Sequence, residues 1–305
     1  MKAICAFLFF TLLISATKAQ VVVTELNRLN TVNFKKKINI DSNGWKRNGM
    51  FVLNVNQSAQ SEWSSGGENF MLGINTILNK TIHHKKGKYS FDTYLDMELG
   101  LVFATSYHKF RKTTDRFDLT FEIDHKIGKK NHFNYGLLAN INTQLFSGHE
   151  YVSEFHRKIS NFLSPGKAIL SIGIDYKNIN EKTYFSLFAT PATVRLITKI
   201  DQDFYPTKRF GVDPFQKLYT EIGTYISVHY NNNLTKTLNY TGRLDLFSNY
   251  NRNPQNVDLL FNNIFAFTIS RSFSATFILD IAYDDDVKKR TQLQQISGLG
   301  LRLKL

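Results

Sequence analysis

Between Tyr89 and Phe103 the chain alternates with a period of two. Tyr89, Phe91, Thr93, Leu95, Met97, Leu99, Leu101 and Phe103 fall on one face. Ser90, Asp92, Tyr94, Asp96, Glu98, Gly100 and Val102 fall on the other. Successive side chains of an extended strand point to opposite sides, so the pattern predicts a strand. Strands of soluble sheets average about 5–6 residues. One this long, apolar on one face and carboxylate-bearing on the other, suits a wall between lipid and a polar lumen.

The same period recurs along the chain. It predicts strands at Asn48–Gln60, Glu68–Leu78, Tyr89–Phe103, Asp115–Ile127, His132–Leu145 and Lys167–Tyr176. Further strands are expected at Lys182–Lys199, Leu218–Tyr230, Thr237–Tyr250, Val257–Ser270, Phe273–Tyr283 and Leu293–Leu305. Pro191 cannot donate to a ladder, so a bend or bulge is expected there. Asn263 shares a face with Phe261, Phe265 and Phe267, which blurs the tenth strand. An even number of strands fits a transmembrane antiparallel up-and-down barrel, all-β, of about twelve strands.

Connection lengths alternate in the same sense. Lys126–Asn131, Lys177–Glu181, Asn231–Lys236 and Ser270–Ser272 are short. Ala104–Thr114, Phe146–Gly166, Ile200–Lys217, Asn251–Asn256 and Asp284–Gln292 are mostly longer and charged. Two connections break the rule: Asn79–Lys88 is long for a turn, and Ser64–Gly67 is short for a loop. Barrels of this kind have one rim of turns and one of loops, which puts both chain ends in the periplasm.

The first residues carry a different signal. Lys2 precedes the apolar run Ile4–Ile14, and Thr17-Lys18-Ala19 ends in a small residue, the form of a signal peptide over 1–19. Residues 20–44, with Lys35-Lys36-Lys37, show no period and are expected to be a periplasmic segment before a barrel spanning 45–305. Cys5, the only cysteine, lies in the signal, so the mature chain has no disulfide or thiolate metal site.

Lys and Arg number 38 against 25 Asp and Glu, a net charge of +13; loss of Lys2 and Lys18 brings it to +11. Export argues against nucleic acid as partner and favours an anionic surface such as lipopolysaccharide, or no partner beyond soluble loops. The expected partners are outer-membrane lipids, a small polar solute, and the barrel-assembly machinery during insertion. Forty Phe and Tyr residues (26 and 14) with five prolines suit long strands.

Candidate chemistry lies on the predicted lumen face. Asp92, Asp96, Glu98, Asp118, Glu122 and Asp124 form an acidic wall, with Asn140 and Asn142 beside it. Arg243, Arg302 and Lys304 answer from other strands. Charges at membrane depth must be hydrated or paired. The wall could orient polar solutes along a water path, or pair with the basic residues and close the interior. The first option makes the protein a narrow channel or transporter for polar solutes. The second makes it a closed barrel whose outer loops bind a partner or glycan.

A lipid-active enzyme would need a serine and a histidine within reach at the outer rim. His108, His149 and His156 lie near Ser106, Ser147 and Ser153 in predicted loops, without a nucleophile-elbow motif. His83-His84 reads as a solvated turn, and Asp284-Asp285-Asp286 as a loop-edge run answered by Lys288-Lys289-Arg290. No cofactor or metal is expected.

Several segments resemble a Bacteroidota outer-membrane family, domain of unknown function three-thousand-seventy-eight. They are Trp63-Ser-Ser-Gly66-Gly67, Ile159-Ser-Asn-Phe-Leu-Ser-Pro165, Gly173-Ile-Asp-Tyr176, Asp245-Leu-Phe-Ser-Asn-Tyr250, Asn253-Pro254-Gln-Asn256-Val257-Asp258 and Tyr283-Asp-Asp-Asp286. The resemblance runs from about Trp45 to the C-terminus and implies an outer-membrane barrel, with no activity or ligand to carry over. Ala189-Thr190-Pro191-Ala192-Thr193 departs from the Ser-Pro pair of that family, and Leu305 stands where outer-membrane barrels often end in an aromatic residue.

Overall fold

A computed structural model describes residues 43–61, 68–107, 109–128, 132–152, 155–179, 183–270, 273–284 and 288–304. The expected signal peptide and all but the last two residues of the expected periplasmic segment lie outside them.

Twelve strands close into one antiparallel barrel. They are β1 (Gly44–Ala59), β2 (Phe70–Lys86), β3 (Tyr89–Ala104), β4 (Arg111–Lys126) and β5 (Phe133–Thr143). After a small separate hairpin, β6 (Gly148–Val152) and β7 (Phe155–Ser160), the wall continues with β8 (Gly166–Ile179) and β9 (Thr183–Thr198). It ends with β10 (Leu218–Asn233), β11 (Leu238–Asn249), β12 (Val257–Thr268), β13 (Phe273–Asp284) and β14 (Lys288–Lys304). Neighbours in sequence are neighbours in the wall, apart from β5 meeting β8 across the hairpin, and β14 returns to β1. That seam is short: Met50 to Leu53 pair with Lys304 to Leu301, whereas β1 pairs with β2 from Gly44 to Ala59.

The molecule is inside out relative to a soluble protein. Ile172, Leu293 and Leu299 are each more than 60% exposed, while Asp96, Asp124, Asp175 and Asp280 are 2% or less. An apolar exterior and a polar interior are what a wall standing in acyl chains requires. Trp45, Tyr89, Phe133, Tyr135 and Phe273 are exposed at or near the strand starts that adjoin the turns, as an interfacial girdle.

Several expectations need correction. Strand β2 runs on to Lys86, so the turn to β3 is only Gly87–Lys88, with Gly87 at φ +60° as a tight hairpin turn needs. His83, His84, Lys85 and Lys86 thus belong to a strand, and His83 is buried instead of forming a solvated turn. The β1–β2 connection spans residues 60–69, longer than Ser64–Gly67, so both expected exceptions to the alternation disappear. Another arises: β14 starts at Lys288 instead of Leu293, and the expected long loop Asp284–Gln292 shrinks to residues 285–287. Asp284 belongs to β13, pairs inward with Lys167 at 3.2 Å and lies opposite Lys288 in the register; Asp285 and Asp286 and the side chains of Lys288 and Lys289 lie outside the described residues.

The bend at Pro191 is real: the β8–β9 and β9–β10 registers both shift there. Thr190 holds it, its hydroxyl donating to the Ile172 carbonyl at 2.5 Å and accepting from the Ala192 amide at 3.0 Å. Asn263 also has an explanation. Its Oδ1 accepts from the Tyr240 hydroxyl at 2.8 Å and its Nδ2 donates to the Leu279 carbonyl at 3.2 Å. A Cβ on Gly242 would lie 2.6 Å from that hydroxyl, so glycine leaves the room the phenol needs. The amide is thereby satisfied on a face that meets lipid.

Candidate functional site: the barrel interior and its loop-end rim

The interior side chains fall into layers along the strands. Nearest the turns, Lys177 of β8 is the hub. Its Nζ lies 2.5 Å from Asp124, 2.8 Å from Glu122, 2.8 Å from Asp175 and 3.9 Å from Asp92. Asp92 also meets His83 Nδ1 at 2.6 Å, and Asp175 accepts from the Ser186 hydroxyl at 2.8 Å. Carboxylate oxygens of Asp92, Glu122 and Asp124 lie within 4.8 Å of one another, a spacing that could hold a metal ion. The Lys177 ammonium already supplies the positive charge in their midst.

The middle layer joins β2 to β5 with β10 and β11. The Asn79 amide donates to Asp96. Asp118 accepts from Asn140 at 2.7 Å and from Asn142 at 2.8 Å, and Arg116 faces Glu98 at 3.6 Å. Across from them Arg243 Nε lies 2.6 Å from Asp245, which also accepts from Tyr225 at 2.8 Å and Ser227 at 2.5 Å. Between the charged groups stands an apolar plug of Phe188, Tyr225 and Phe247 with Leu138 packed against it.

Nearest the loops, Arg195 bridges Glu221 and Asp258, the latter at 2.7 Å, and its guanidinium lies 3.9 Å from the Phe247 ring centre. Lys167 reaches from β8 to Asp284 of β13. Each layer pairs charges that would be costly alone at this depth. A cavity of about 30 Å³ lined by Tyr94, Glu122, Tyr184, His229 and Arg243, among others, is room for a water or two.

The structure thus places Asp92, Asp96, Glu98, Asp118, Glu122 and Asp124 inside the wall, all buried, with Asn140, Asn142 and Arg243 beside them. The side chains of Arg302 and Lys304 lie outside the description. Sequence reasoning passed over Lys177, His83, Arg195 and Glu221 as members of this network. Lys177 had a signal: it is two residues after Asp175 and shares its face.

The loop end is built quite differently. Asp201 accepts from Lys158 at 3.0 Å, from Asn161 at 2.6 Å and from the Asp203 amide at 2.9 Å. This ties the β6–β7 hairpin to the loop at 199–217. Burial raises the Asp201 carboxyl, but these donors outweigh it and hold the group below the usual carboxylate range. The Lys199 ammonium is caged by backbone carbonyls of Thr207 at 2.6 Å, Asp213 at 2.9 Å and Tyr205 at 3.5 Å.

Among the described residues no serine is hydrogen-bonded to a histidine at this rim. Ser106 is engaged with Glu68 instead, and His108 and Ser153 lie outside the description.

Similar solved structures include three outer-membrane proteins of low identity. An outer membrane channel from Pseudomonas putida F1 is 11% identical, covering 90% of this chain and 98% of its own, with TM-score 0.40. The NanC porin is 8% identical, covering 84% and 97%, with TM-score 0.38. Outer membrane phospholipase A from Escherichia coli is 6% identical, covering 84% and 89%, with TM-score 0.38. Comparison with curated proteins gives no match. Of the segments that carry the resemblance, Trp63–Gly67 alone falls in the stretch that a family model recognises. That stretch, residues 55–149, matches the family described as protein of unknown function (DUF3078).

Proposed function

We propose that this chain is an outer-membrane barrel, closed along its axis, that acts by binding at its outer rim. The observation that carries this is the packed interior. The Phe188–Tyr225–Phe247 plug sits between layers of paired charges, and the cavity beside it holds no more than a water or two. A conducting pore would leave lumen side chains wet, yet the acidic wall is almost wholly buried. The loop end, taken as extracellular, is where this chain has its long and internally tied segments.

The alternative, a narrow channel for polar solutes, requires that the charge layers part. Conductance of the purified, folded protein in a planar bilayer separates the two. Silence from a heat-modifiable barrel is the expected result. Discrete steps whose charge preference shifts on Arg243→Ala or Asp96→Asn would overturn the closed reading in favour of the channel. A second measurement addresses the rim: removing residues 148–160 should leave the barrel folded and abolish binding.

A further inference from the structure

A pocket of about 440 Å³ lies on the outside of the barrel, between the β6–β7 hairpin and the loop-end flank of β3 and β4. Its floor includes Leu99 and Leu101, residues of the lipid-facing side of β3, together with Phe110. Its rim carries Lys109, His149 and His156, and among the described residues no Asp or Glu lines it. The two imidazole rings are 5.9 Å apart, and the Lys109 ammonium lies 5.8 Å from the Tyr151 ring centre.

The hairpin is fixed over this flank by an unusual outward pair. Asp115 is opposite Leu99 in the β3–β4 register, on the face that elsewhere meets lipid, yet it is buried. It accepts from the amides of Leu145 and Phe146 at 3.0 and 2.7 Å, and Lys112 Nζ meets it at 2.9 Å. Lys112 also donates to the Phe146 carbonyl at 2.5 Å and to Gln144 at 2.9 Å. Among the described residues of the hairpin the one carboxylate, Glu150, is paired with Arg157 at 2.6 Å. The pocket therefore presents the Lys109 ammonium and the His149 and His156 imidazoles beside an apolar wall, on the loop-end flank of the barrel.

We propose that this pocket binds a phosphorylated acyl lipid of the outer leaflet, phosphate on the Lys109–His149–His156 rim and an acyl chain along Leu99 and Leu101. The proposal rests on the reading of the outer rim as the working part of the molecule. Its size lies within the range of small-molecule sites, about 300–1,000 Å³. Charge and apolarity together select an amphiphile: a free phosphate leaves the leucine floor unused, and a neutral lipid leaves the rim unanswered.

The test uses the full-length protein in nanodiscs of phosphatidylcholine doped with diphosphorylated lipid A, with bound lipid A counted by native mass spectrometry after release. The expected result is retained lipid A, lowered roughly tenfold in Lys109→Glu, whose site is exposed, and in His149→Gln/His156→Gln. Inorganic phosphate should not displace it. Equal retention by the parent and Lys109→Glu would overturn the proposal, as would full displacement by inorganic phosphate or equal retention of phosphatidylcholine. Heat-modifiability of each variant checks the barrel. Conductance reads the closed lumen separately, so failure of one reading leaves the other standing.

Discussion

At the residue scale, single polar groups are tolerated where the wall meets lipid only because a partner is built beside them. Tyr240→Phe removes the donor to Asn263 Oδ1, and an unsatisfied buried acceptor costs about 1–3 kcal/mol. Urea unfolding of the barrel in liposomes should register that loss. Asn263→Leu added to Tyr240→Phe should restore most of it, because no polar group then remains to satisfy. Lys199 poses the reverse case. Its ammonium answers three carbonyls, so Lys199→Met should leave the barrel intact while raising proteolytic cleavage within 199–217. The sequence pattern shows which side chains face in, because period two is a backbone property. It shows neither partner choice nor such cages, since Tyr240 and Asn263 meet across strands and Lys199 bonds to loop backbone.

At the element scale, the β6–β7 hairpin is the part that sequence reasoning overlooks. Its strands are short, and His149, Glu150, His156, Arg157 and Lys158 break any apolar alternation, so it reads as loop. Long strands with one lipid face were readable in place, usually to within a few residues of their ends. The pattern ends β2 too early because its last turnward residues are polar, and only the closed ring reveals that His83 points into the interior while His84 packs outside on Trp45.

The hairpin should also respond to pH. Burial pushes His149 below the usual histidine range, and His156, Lys109, Lys158 and Lys112 push the same way. The unfolded hairpin then binds more protons than the folded one as pH falls through that range, so its stability is complete above it and declines toward acid. Amide-exchange protection over residues 148–160 in lipid-free detergent should fall between about pH 7 and pH 5. The Asp201 tie behaves oppositely in position: with its carboxyl held low, its contribution persists until pH drops below the ordinary carboxylate range. Asp201→Asn should bring that later loss to neutral pH.

At the scale of the whole molecule, the proposed closure rests on the sum of layers. Removing Arg195 and Arg243 together leaves an interior dominated by carboxylates and vacates two bulky side chains beside the aromatic plug. The double alanine variant should conduct where the parent is silent, and its small steps should favour cations. The ring's geometry was legible from the alternation and from the connection lengths. The state of its interior was not, because twelve strands fall between barrels that side chains fill and barrels that stay open.

The seam between β1 and β14 gives the ring a mechanical consequence. A hoop fails at its narrowest weld, and here, among the described residues, four residue pairs join what more than a dozen join on the other side of β1. Unzipping that weld should be the first step of thermal failure. A cysteine pair at Leu53 and Leu301, which lie opposite each other, would rivet it. The riveted barrel should keep its compact gel mobility to a higher temperature under oxidising conditions than after reduction.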